Sequence, residues 1–264
     1  MTANVDAKKL VPLLRISNVT VRFGAIVALN QVSFDVRRGE ILGLIGPNGA
    51  GKTTLFNCLS RLVDVESGGI ELDGRSVLAI PRYDIVRAGI GRTFQHCALF
   101  ESMSVLENVM VGTHVRGTGG FLADAFRMRR LVSGEQRGRD QALELLEKLE
   151  LTAVANIPVY LLQFAMRKRV ELARALASAP KLLLLDEPAG GLNHEEVDRL
   201  GDLVRQVRSD FGVTVLMVEH HLNFVMRLSD RVVALDFGKT LAEGTPAEMQ
   251  QNPEVIRAYL GVSA

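Results

Sequence analysis

One stretch near the start of the chain, residues 46–53, restricts the possible folds more than any other. It reads Gly-Pro-Asn-Gly-Ala-Gly-Lys-Thr, which fits a pattern of one glycine, four free positions and then Gly-Lys-Thr. An apolar segment, 40–45, precedes it, and a helix-like segment follows. Glycines let the backbone fold closely around a phosphate chain, so that N–H groups and the positive end of the next helix point at the anion. The stretch therefore predicts a P-loop rather than a plain glycine-rich turn.

The P-loop pattern also assigns roles to individual side chains. Lys52 is expected to reach the terminal phosphates, and the Thr53 hydroxyl is expected to hold a magnesium ion. The residues predicted to contact the nucleotide are Gly46, Pro47, Asn48, Gly49, Ala50, Gly51, Lys52, Thr53 and Thr54.

Composition indicates a folded globular protein. A chain of 264 residues with 47% hydrophobic content can bury a substantial core, as one large domain or one domain with a subsidiary lobe. Its 31 basic and 30 acidic side chains nearly cancel, so no global field attracts nucleic acid or an anionic membrane. The two cysteines, Cys58 and Cys97, have no metal-site spacing. Two reduced thiols are the simplest interpretation, and a disulfide stays an open alternative.

The sequence shows no segment that would place the chain in a membrane. The longest apolar stretches, 157–166 and 214–218, are far shorter than the roughly 20 residues that a spanning helix needs. Residues 1–9 are polar and lack the apolar centre of a secretion signal. We therefore expect that the chain does not enter a bilayer by itself.

Strand and helix patterns alternate along most of the chain. Residues 182–185 form a continuous apolar run typical of a central parallel strand, which Asp186 and Glu187 end, and another strand is predicted over 213–218. Amphipathic patterns predict helices over 167–178 and 195–211. Further strands are predicted over 14–23, 28–36, 70–72, 89–94, 231–236 and 239–243. The alternation predicts a mostly parallel sheet covered on both faces.

A helical insertion interrupts this alternation. From 104 to 150 apolar residues recur at helical spacing, with the strongest pattern over 142–149. Residues 117–120 are predicted to be a flexible break. The basic segment 126–130 that follows is interpreted as a solvated helix face rather than an anion site.

Chemically useful side chains follow several predicted strands. The carboxyl ends of neighbouring parallel strands converge on one crevice, so the P-loop, Gln95, Asp186 and Glu187 are expected to lie together with a histidine. Asp186 can hold the water shell of the magnesium ion. Glu187 can polarise an attacking water, unless both acids only form a solvated strand end.

Two assignments stay ambiguous from the residues alone. His220 can contact the terminal phosphate, but the neighbouring His221 is a competing candidate, and either histidine can be structural. We favour His220 because it directly follows Glu219 at the end of a strand. Phe23 lies on a strand expected to pair near the P-loop strand, where its ring either stacks on a nucleotide base or belongs to the core.

The order of these motifs closely resembles that of the ATPase subunit of ABC transporters, across essentially the whole chain. The resemblance implies an α/β P-loop NTPase of ABC ATPase type, with a mostly parallel core, an antiparallel β subdomain and an inserted helical lobe. It implies a single domain, 1–264, with the core and β subdomain over 10–95 and 166–264 and the lobe over 96–165.

The same resemblance assigns the site. Phe23 matches the base-stacking aromatic residue, and Gln95 matches the Q-loop glutamine, which joins Thr53 and Asp186 as a metal ligand. Glu187 matches the catalytic glutamate and His220 the switch histidine. The implied cofactors are ATP and Mg²⁺.

A narrower resemblance points to importers of branched-chain amino acids. Its segments are 91–95, 99–100, 104–109, 190–193 and 255–261. It implies an ATP-hydrolysing subunit of an importer for branched-chain or related hydrophobic amino acids. Such a subunit is a peripheral protein at the cytoplasmic face of the plasma (inner) membrane. The implied partners are two membrane permease subunits, a second ATPase subunit and an external substrate-binding protein, with no nucleic acid.

One segment departs from the family pattern. The signature Leu-Ser-Gly-Gly-Gln should lie at 162–166, but Gln163, Ala165 and Met166 replace its serine, second glycine and glutamine. In the family this segment starts a helix whose N–H groups meet the γ-phosphate held by the other subunit. The loss of a serine hydroxyl and the added Cβ atoms predict a weakened contact. We therefore favour a heterodimer with a partner whose signature is intact, with a homodimer as the alternative.

Three alternative functions follow from the sequence. The first is a non-transport ABC ATPase acting on ribosomes or DNA, which the net charge of +1 and the single ATPase domain disfavour. The second is a mainly nucleotide-binding regulatory subunit, suggested by the altered signature and opposed by the retained Glu187 and His220. The third is a GTPase, which is disfavoured because the chain has no Asn-Lys-x-Asp element.

The helical lobe has two possible roles. It either docks against permeases or is only a lid.

Overall fold

The computed structural model describes residues 12–94, 97–114 and 128–260, with the side chains of 128–134 and 260 left out. Its strands are β1 (Pro12–Phe23), β2 (Ile26–Arg37), β3 (Ile41–Ile45), β4 (Ser67–Leu72), β5 (Arg75–Ser76), β6 (Ile90–Arg92), β7 (Leu182–Asp186), β8 (Thr214–Val218), β9 (Arg231–Asp236) and β10 (Lys239–Gly244). Its helices are α1 (Lys52–Leu59), α2 (Val105–Thr113), α3 (Met128–Lys148), α4 (Phe164–Ala177), α5 (His194–Phe211), α6 (Leu222–Leu228), α7 (Pro246–Gln251) and α8 (Pro253–Leu260).

The described strands form two sheets. The larger sheet has the order β10-β9-β3-β8-β7-β6, and its neighbours pair in parallel except for the antiparallel pair of β9 and β10. The smaller sheet, β2-β1-β4-β5, is antiparallel throughout. The predicted fold class, a mostly parallel core with an antiparallel β subdomain, is confirmed.

The apolar runs explain the central strands. All five residues of β3, of β7 and of β8 are buried, as expected for strands with both faces covered. β8 lies between β3 and β7, so the three segments that follow these strands leave the same edge of the sheet side by side.

Local sequence signals account for several helix starts. Ser104 with Glu107, Asn193 with Glu196, and Thr245 with Glu248 form capping boxes at the starts of α2, α5 and α7. In each box the side chain of the first residue accepts the backbone N–H of the glutamate, and the glutamate carboxylate accepts the backbone N–H of the first residue. Two N–H groups at the helix start thereby gain hydrogen-bond acceptors.

The structure divides into two compact units. One consists of the described parts of Met1–Arg92 and Lys181–Ala264, and the other of the described parts of Thr93–Pro180. The second unit thus reaches beyond the predicted lobe, 96–165, and includes all of α4. The domain organisation inferred from the sequence stays a prediction.

β1 pairs with β2 and β4 of the antiparallel sheet. One detail differs from the expectations. The strand expected over 89–94 is shorter in the structure, where it extends over Ile90–Arg92.

Two predicted segments cannot be compared with the structure. The predicted flexible break, 117–120, lies outside the described residues, and the side chains of the basic segment 126–130 are likewise not described. In the part of the chain that is described, no helix combines the length and the apolar character needed to cross a membrane.

Candidate functional site

The P-loop backbone follows directly from its glycines. Gly46 leaves β3 at φ 151°, and a Cβ there would collide with the carbonyl oxygen of Leu235. Gly51 has φ 97°, and a Cβ there would lie 2.6 Å from the carbonyl oxygen of Ala28. Only glycine fits both positions, so the loop can approach β2 and β9 this closely.

Helix α1 starts at Lys52 without a side-chain cap, because its N-cap residue is Gly51. The first N–H groups of a helix have no acceptor within the helix. When no side chain caps the helix start, these groups can donate hydrogen bonds to a bound anion. A phosphate chain fits this cradle, since no side chain caps the helix start and its N–H groups stay available. Asn48 and Gly49 are exposed at its rim, whereas Ala50 is buried.

Lys52 is held inside the loop. It is buried, and its Nζ donates to the carbonyl oxygen of Gly46 at 2.6 Å and to that of Pro47 at 3.0 Å. Burial lowers the pKa of Lys52, and the negative charge of Glu187 partly opposes that shift. The ammonium group therefore lies at the base of the cradle and feels the charge of Glu187.

Asp186 ends β7 in a buried position and forms an ion pair that sequence reasoning missed. Its Oδ2 lies 2.8 Å from Nη2 of Arg92, whose other terminal nitrogen donates to Asn57 Oδ1 at 2.9 Å and to Ser60 Oγ at 3.0 Å. Arg92 thus connects the strand end to α1. The sequence carries no local signal for this contact, because the contact depends on the pairing of β6 with β7.

Glu187 leaves the strand direction immediately after Asp186. Its φ is +45°, an unusual value for a residue with a side chain, and its N–H donates to the carbonyl oxygen of Val218 at 2.9 Å. Its Oε2 lies 3.8 Å from Nδ1 of His220, which is half exposed. The structure therefore places Glu187 near both His220 and Lys52, and the roles assigned to these residues stay a prediction.

Glu219 fixes the backbone of the segment that contains His220 and His221. The sequence did not predict this role. Its side chain is fully buried, and its Oε1 accepts the N–H of Ala189 at 2.7 Å. Its Oε2 accepts the N–H groups of His220 and His221 at 3.0 and 3.2 Å. One carboxylate thus joins the turn after β7 to the segment after β8. The available signal was an acid directly after a buried strand and directly before two histidines.

The oxygen donors proposed for magnesium can be placed in part. Thr53 lies exposed in the first turn of α1, and Asp186 supplies a carboxylate at the end of β7. A hydroxyl and a carboxylate are the hard oxygen donors that Mg²⁺ prefers, so this donor set fits the ion. Gln95 lies outside the described residues.

Phe23 ends β1 opposite Ile26, with half of its surface exposed. It is therefore not a core residue, which leaves base stacking as its candidate role. Ala28, near the start of the next strand β2, places its carbonyl oxygen against Gly51 of the P-loop.

The altered signature segment lies at the start of α4 in the second unit. Gln163 is the N-cap residue, and its side chain makes no capping bond. Phe164 is exposed, and the Nζ of Lys168 lies 5.5 Å from the centre of its ring. The helix start is therefore present, with neither a side-chain hydroxyl nor a glycine in the signature positions.

Further along α4, Glu171 holds the chain on both sides of Gln95. The buried carboxylate accepts the N–H of Phe94 at 3.0 Å and that of Ala98 at 3.4 Å. Arg174 on the same helix donates to the carbonyl oxygen of Ala98 at 2.5 Å. Burial raises the pKa of Glu171, and the two backbone donors oppose that rise.

Both cysteines are free thiols, and burial raises the pKa of Cys58 to about 12. Cys58 therefore stays protonated within α1 at neutral pH.

Comparisons with known proteins agree with this geometry. The model of the ABC transporter family matches residues 29–190, and the model described as branched-chain amino acid ATP-binding cassette transporter matches residues 239–264. The high-affinity branched-chain amino acid transport ATP-binding protein BraF of Pseudomonas aeruginosa is 41% identical over 250 residues, which cover 95% of this chain and 98% of BraF. The corresponding protein LivG of Escherichia coli K12 is 39% identical over 250 residues, with the same two coverages.

Solved structures show the same architecture. An ATP-binding cassette of an ABC transporter in its ADP conformation has a TM-score of 0.83 and 28% identity, and the match covers 95% of this chain and 99% of that one. A nucleotide-free cassette has a TM-score of 0.82 and 27% identity, with 94% and 99% covered. The match of the family model over more than half of the chain, together with these relatives, establishes the family. The chain therefore belongs to the ATP-binding proteins of the ABC transporter family.

Proposed function

We propose that this chain is the ATP-binding and ATP-hydrolysing subunit of an importer for branched-chain or related hydrophobic amino acids. The observation that carries the proposal is the position of Glu187. Its carboxylate lies 3.8 Å from His220 and interacts electrostatically with Lys52 at the base of the P-loop. Phosphoryl transfer requires mainly positioning and charge neutralisation, and these three groups supply both.

The binding step rests on the P-loop and Phe23. Phe23 stacks on the base, and the N–H groups at the start of α1 hold the phosphates, with Lys52 at the terminal ones. Thr53, Gln95 and Asp186 are the groups that would hold Mg²⁺, which neutralises charge on the phosphate oxygens.

The hydrolysis step rests on two residues. Glu187 orients and polarises the attacking water, and His220 contacts the terminal phosphate. The fixed backbone around both supports these roles, because Glu219 holds the N–H of His220 and the N–H of Glu187 is bonded to Val218. Groups held in position before the reaction do not have to be ordered during it.

The cargo and partners are inferred from the relatives, whose names describe branched-chain amino acid transport. In this proposal the chain works with two membrane permease subunits, a second ATPase subunit and an external substrate-binding protein, at the cytoplasmic face of the plasma (inner) membrane. The chain acts as a single ABC ATPase domain, 1–264, whose helical lobe docks against the permeases. Exposed apolar side chains in the second unit, among them Phe100, Tyr160 and Leu161, support docking over a mere lid.

The altered signature supports an asymmetric assembly. In a heterodimer, the site built from Lys52, Glu187 and His220 would face the partner's intact signature and hydrolyse ATP. The opposite site, facing Gln163 and Ala165 of this chain, would chiefly bind ATP. A homodimer is the alternative.

Reconstitution tests the function as a whole. The chain is co-purified with the membrane proteins it binds, the subunits are identified by mass spectrometry, and the complex is placed in vesicles. Uptake of labelled leucine should require ATP and should be lost with Lys52→Ala. Uptake of leucine that does not depend on ATP, or a complex without permeases, would contradict the proposal. ATP turnover without permeases would favour the non-transport ATPase.

A further inference from the structure

The last described helix, α8, contacts the P-loop through one side chain. The hydroxyl oxygen of Tyr259 accepts the N–H of Gly46 at 2.6 Å. Burial raises the pKa of Tyr259 to about 12, so the phenol stays neutral at physiological pH. Gly46 and Tyr259 are 213 positions apart, so the fold brings the tail of the chain to the first residue of the loop.

Gly46 is held from both sides of its backbone. Its carbonyl oxygen accepts Lys52 Nζ at 2.6 Å, and its N–H donates to Tyr259. A Cβ at this position would collide with the carbonyl oxygen of Leu235, so the residue is also confined sterically. The orientation of this one residue therefore links the tail helix to the lysine that faces the phosphates.

Helix α8 is itself well anchored. Asn252 Oδ1 accepts the N–H groups of Glu254 and Val255 at 2.9 and 3.3 Å, which caps the helix start. The Val255 side chain is buried, and the preceding helix α7 begins with the capping box of Thr245 and Glu248. A side chain on such a support can restrain the loop it touches.

We propose that Tyr259 is a positioning residue for ATP binding, through which the tail helix α8 fixes Gly46 and thereby Lys52. The inference rests on the proposed ATP-binding function and extends it to a residue that does not touch the nucleotide. A loop ordered before binding does not lose conformational entropy on binding, so the hydroxyl should act on affinity rather than on the chemical step.

The variant Tyr259→Phe removes only the hydroxyl and keeps the ring. The Gly46 N–H then has no acceptor from the tail, and the loop must be ordered by the nucleotide. We expect Kd and KM for ATP to rise about fivefold to tenfold, as for the loss of one buried hydrogen bond, with kcat changed less than about twofold. The matched control is Tyr83→Phe, whose ring is exposed in the short turn Arg82–Asp84 and which should leave all three values unchanged.

The test measures ATP Kd, KM and kcat for the full chain in its purified complex, together with the melting temperature. Kd within twofold of the unaltered chain, or a fall of kcat and melting temperature with KM unchanged, would overturn the proposal. If the unaltered chain does not bind ATP, the proposed function fails instead, and the two failures are thereby distinguished.

A second measurement does not depend on the variant folding. Amide hydrogen exchange, resolved to single residues in the unaltered complex without nucleotide, should show the Gly46 N–H as strongly protected as that of Ile45 in β3. Fast exchange at Gly46 beside a protected Ile45 would overturn the proposal.

Discussion

Arg92 and Asp186 form a buried ion pair whose guanidinium nitrogen and carboxylate oxygen lie 2.8 Å apart, with 9% and 6% of the two side chains exposed. The same guanidinium donates to Asn57 on α1 and to Ser60, the C-cap residue of that helix. The strand end that carries Asp186 is therefore fixed to the helix that starts at the P-loop.

Arg92→Ala should strongly destabilise the chain, because it leaves Asp186 buried without this partner. We expect the free energy of unfolding to fall by about 3–5 kcal/mol. The control Arg22→Ala breaks an exposed pair with Glu66, 3.2 Å apart, and should cost less than about 1 kcal/mol. Urea unfolding of both variants checks this, and equal losses would contradict the assigned importance of the buried pair.

Glu219→Gln should lower kcat while leaving KM for ATP within about threefold, because the carboxylate positions the segment of His220 and not the P-loop. An amide offers one acceptor oxygen, and its NH₂ group would face a backbone donor. We expect a fall in kcat of about tenfold to a hundredfold. Steady-state kinetics test this against Glu195→Gln, an exposed glutamate that should behave as the unaltered chain. Unchanged kcat in Glu219→Gln would remove its positioning role.

The pH dependence of ATP binding should report Lys52. Burial lowers its pKa from 10.5, so the ammonium form is lost at a lower pH than for a free lysine. ATP binding requires the charged form, and kcat/KM, which reports the free enzyme, should therefore fall on the alkaline side below pH 10.5.

Glu187→Gln supplies the check on the cause. The Glu187 charge raises the pKa of Lys52, so its removal should move the alkaline limb of ATP binding to lower pH. The free energy of unfolding depends on pH with the opposite sign to ATP binding. Between the lowered pKa of Lys52 in the folded chain and its pKa in the unfolded chain, the unfolded chain binds more protons. The contribution of Lys52 to the free energy of unfolding therefore rises with pH in this range. An alkaline limb that stays in place in Glu187→Gln would contradict the coupling.

Restoring the signature should raise turnover of the homodimer. Gln163→Ser with Ala165→Gly returns a hydroxyl to the N-cap of α4 and removes one Cβ from the approach to its N–H groups. One hydrogen bond to a charged phosphate predicts a gain of about tenfold. ATPase assays compare this variant with the same one carrying Lys52→Ala, which should be inactive. No gain in turnover would count against the asymmetric assembly.

The sequence predicted the parts of the site that depend on local patterns. Glycines at 46 and 51 followed by Lys52 specify a loop and a helix start within a few residues, and the apolar run ending in Asp186 specifies a central strand. The edge where these segments meet also followed, because parallel strands place their carboxyl ends together.

The contacts that support the site could not be predicted in the same way. Arg92 and Asp186 are 94 positions apart, and their contact depends on the register of β6 and β7. Alternation along residues 14–23 indicated a strand but not its partners, which the structure identifies as β2 and β4. Glu219 served only as a marker for His220, since hydrogen bonds to backbone N–H groups leave no pattern in side-chain types.

The most direct test concerns the nucleotide site formed by Lys52, Glu187 and His220. It compares Lys52→Ala with Glu187→Gln in the purified complex, by equilibrium ATP binding at that site and by single-turnover hydrolysis. We expect Lys52→Ala to weaken ATP binding about a hundredfold. Glu187→Gln should bind ATP within about threefold of normal and hydrolyse it at least about a hundredfold more slowly. Unchanged ATP binding by Lys52→Ala, or normal hydrolysis by Glu187→Gln, would contradict the proposed site.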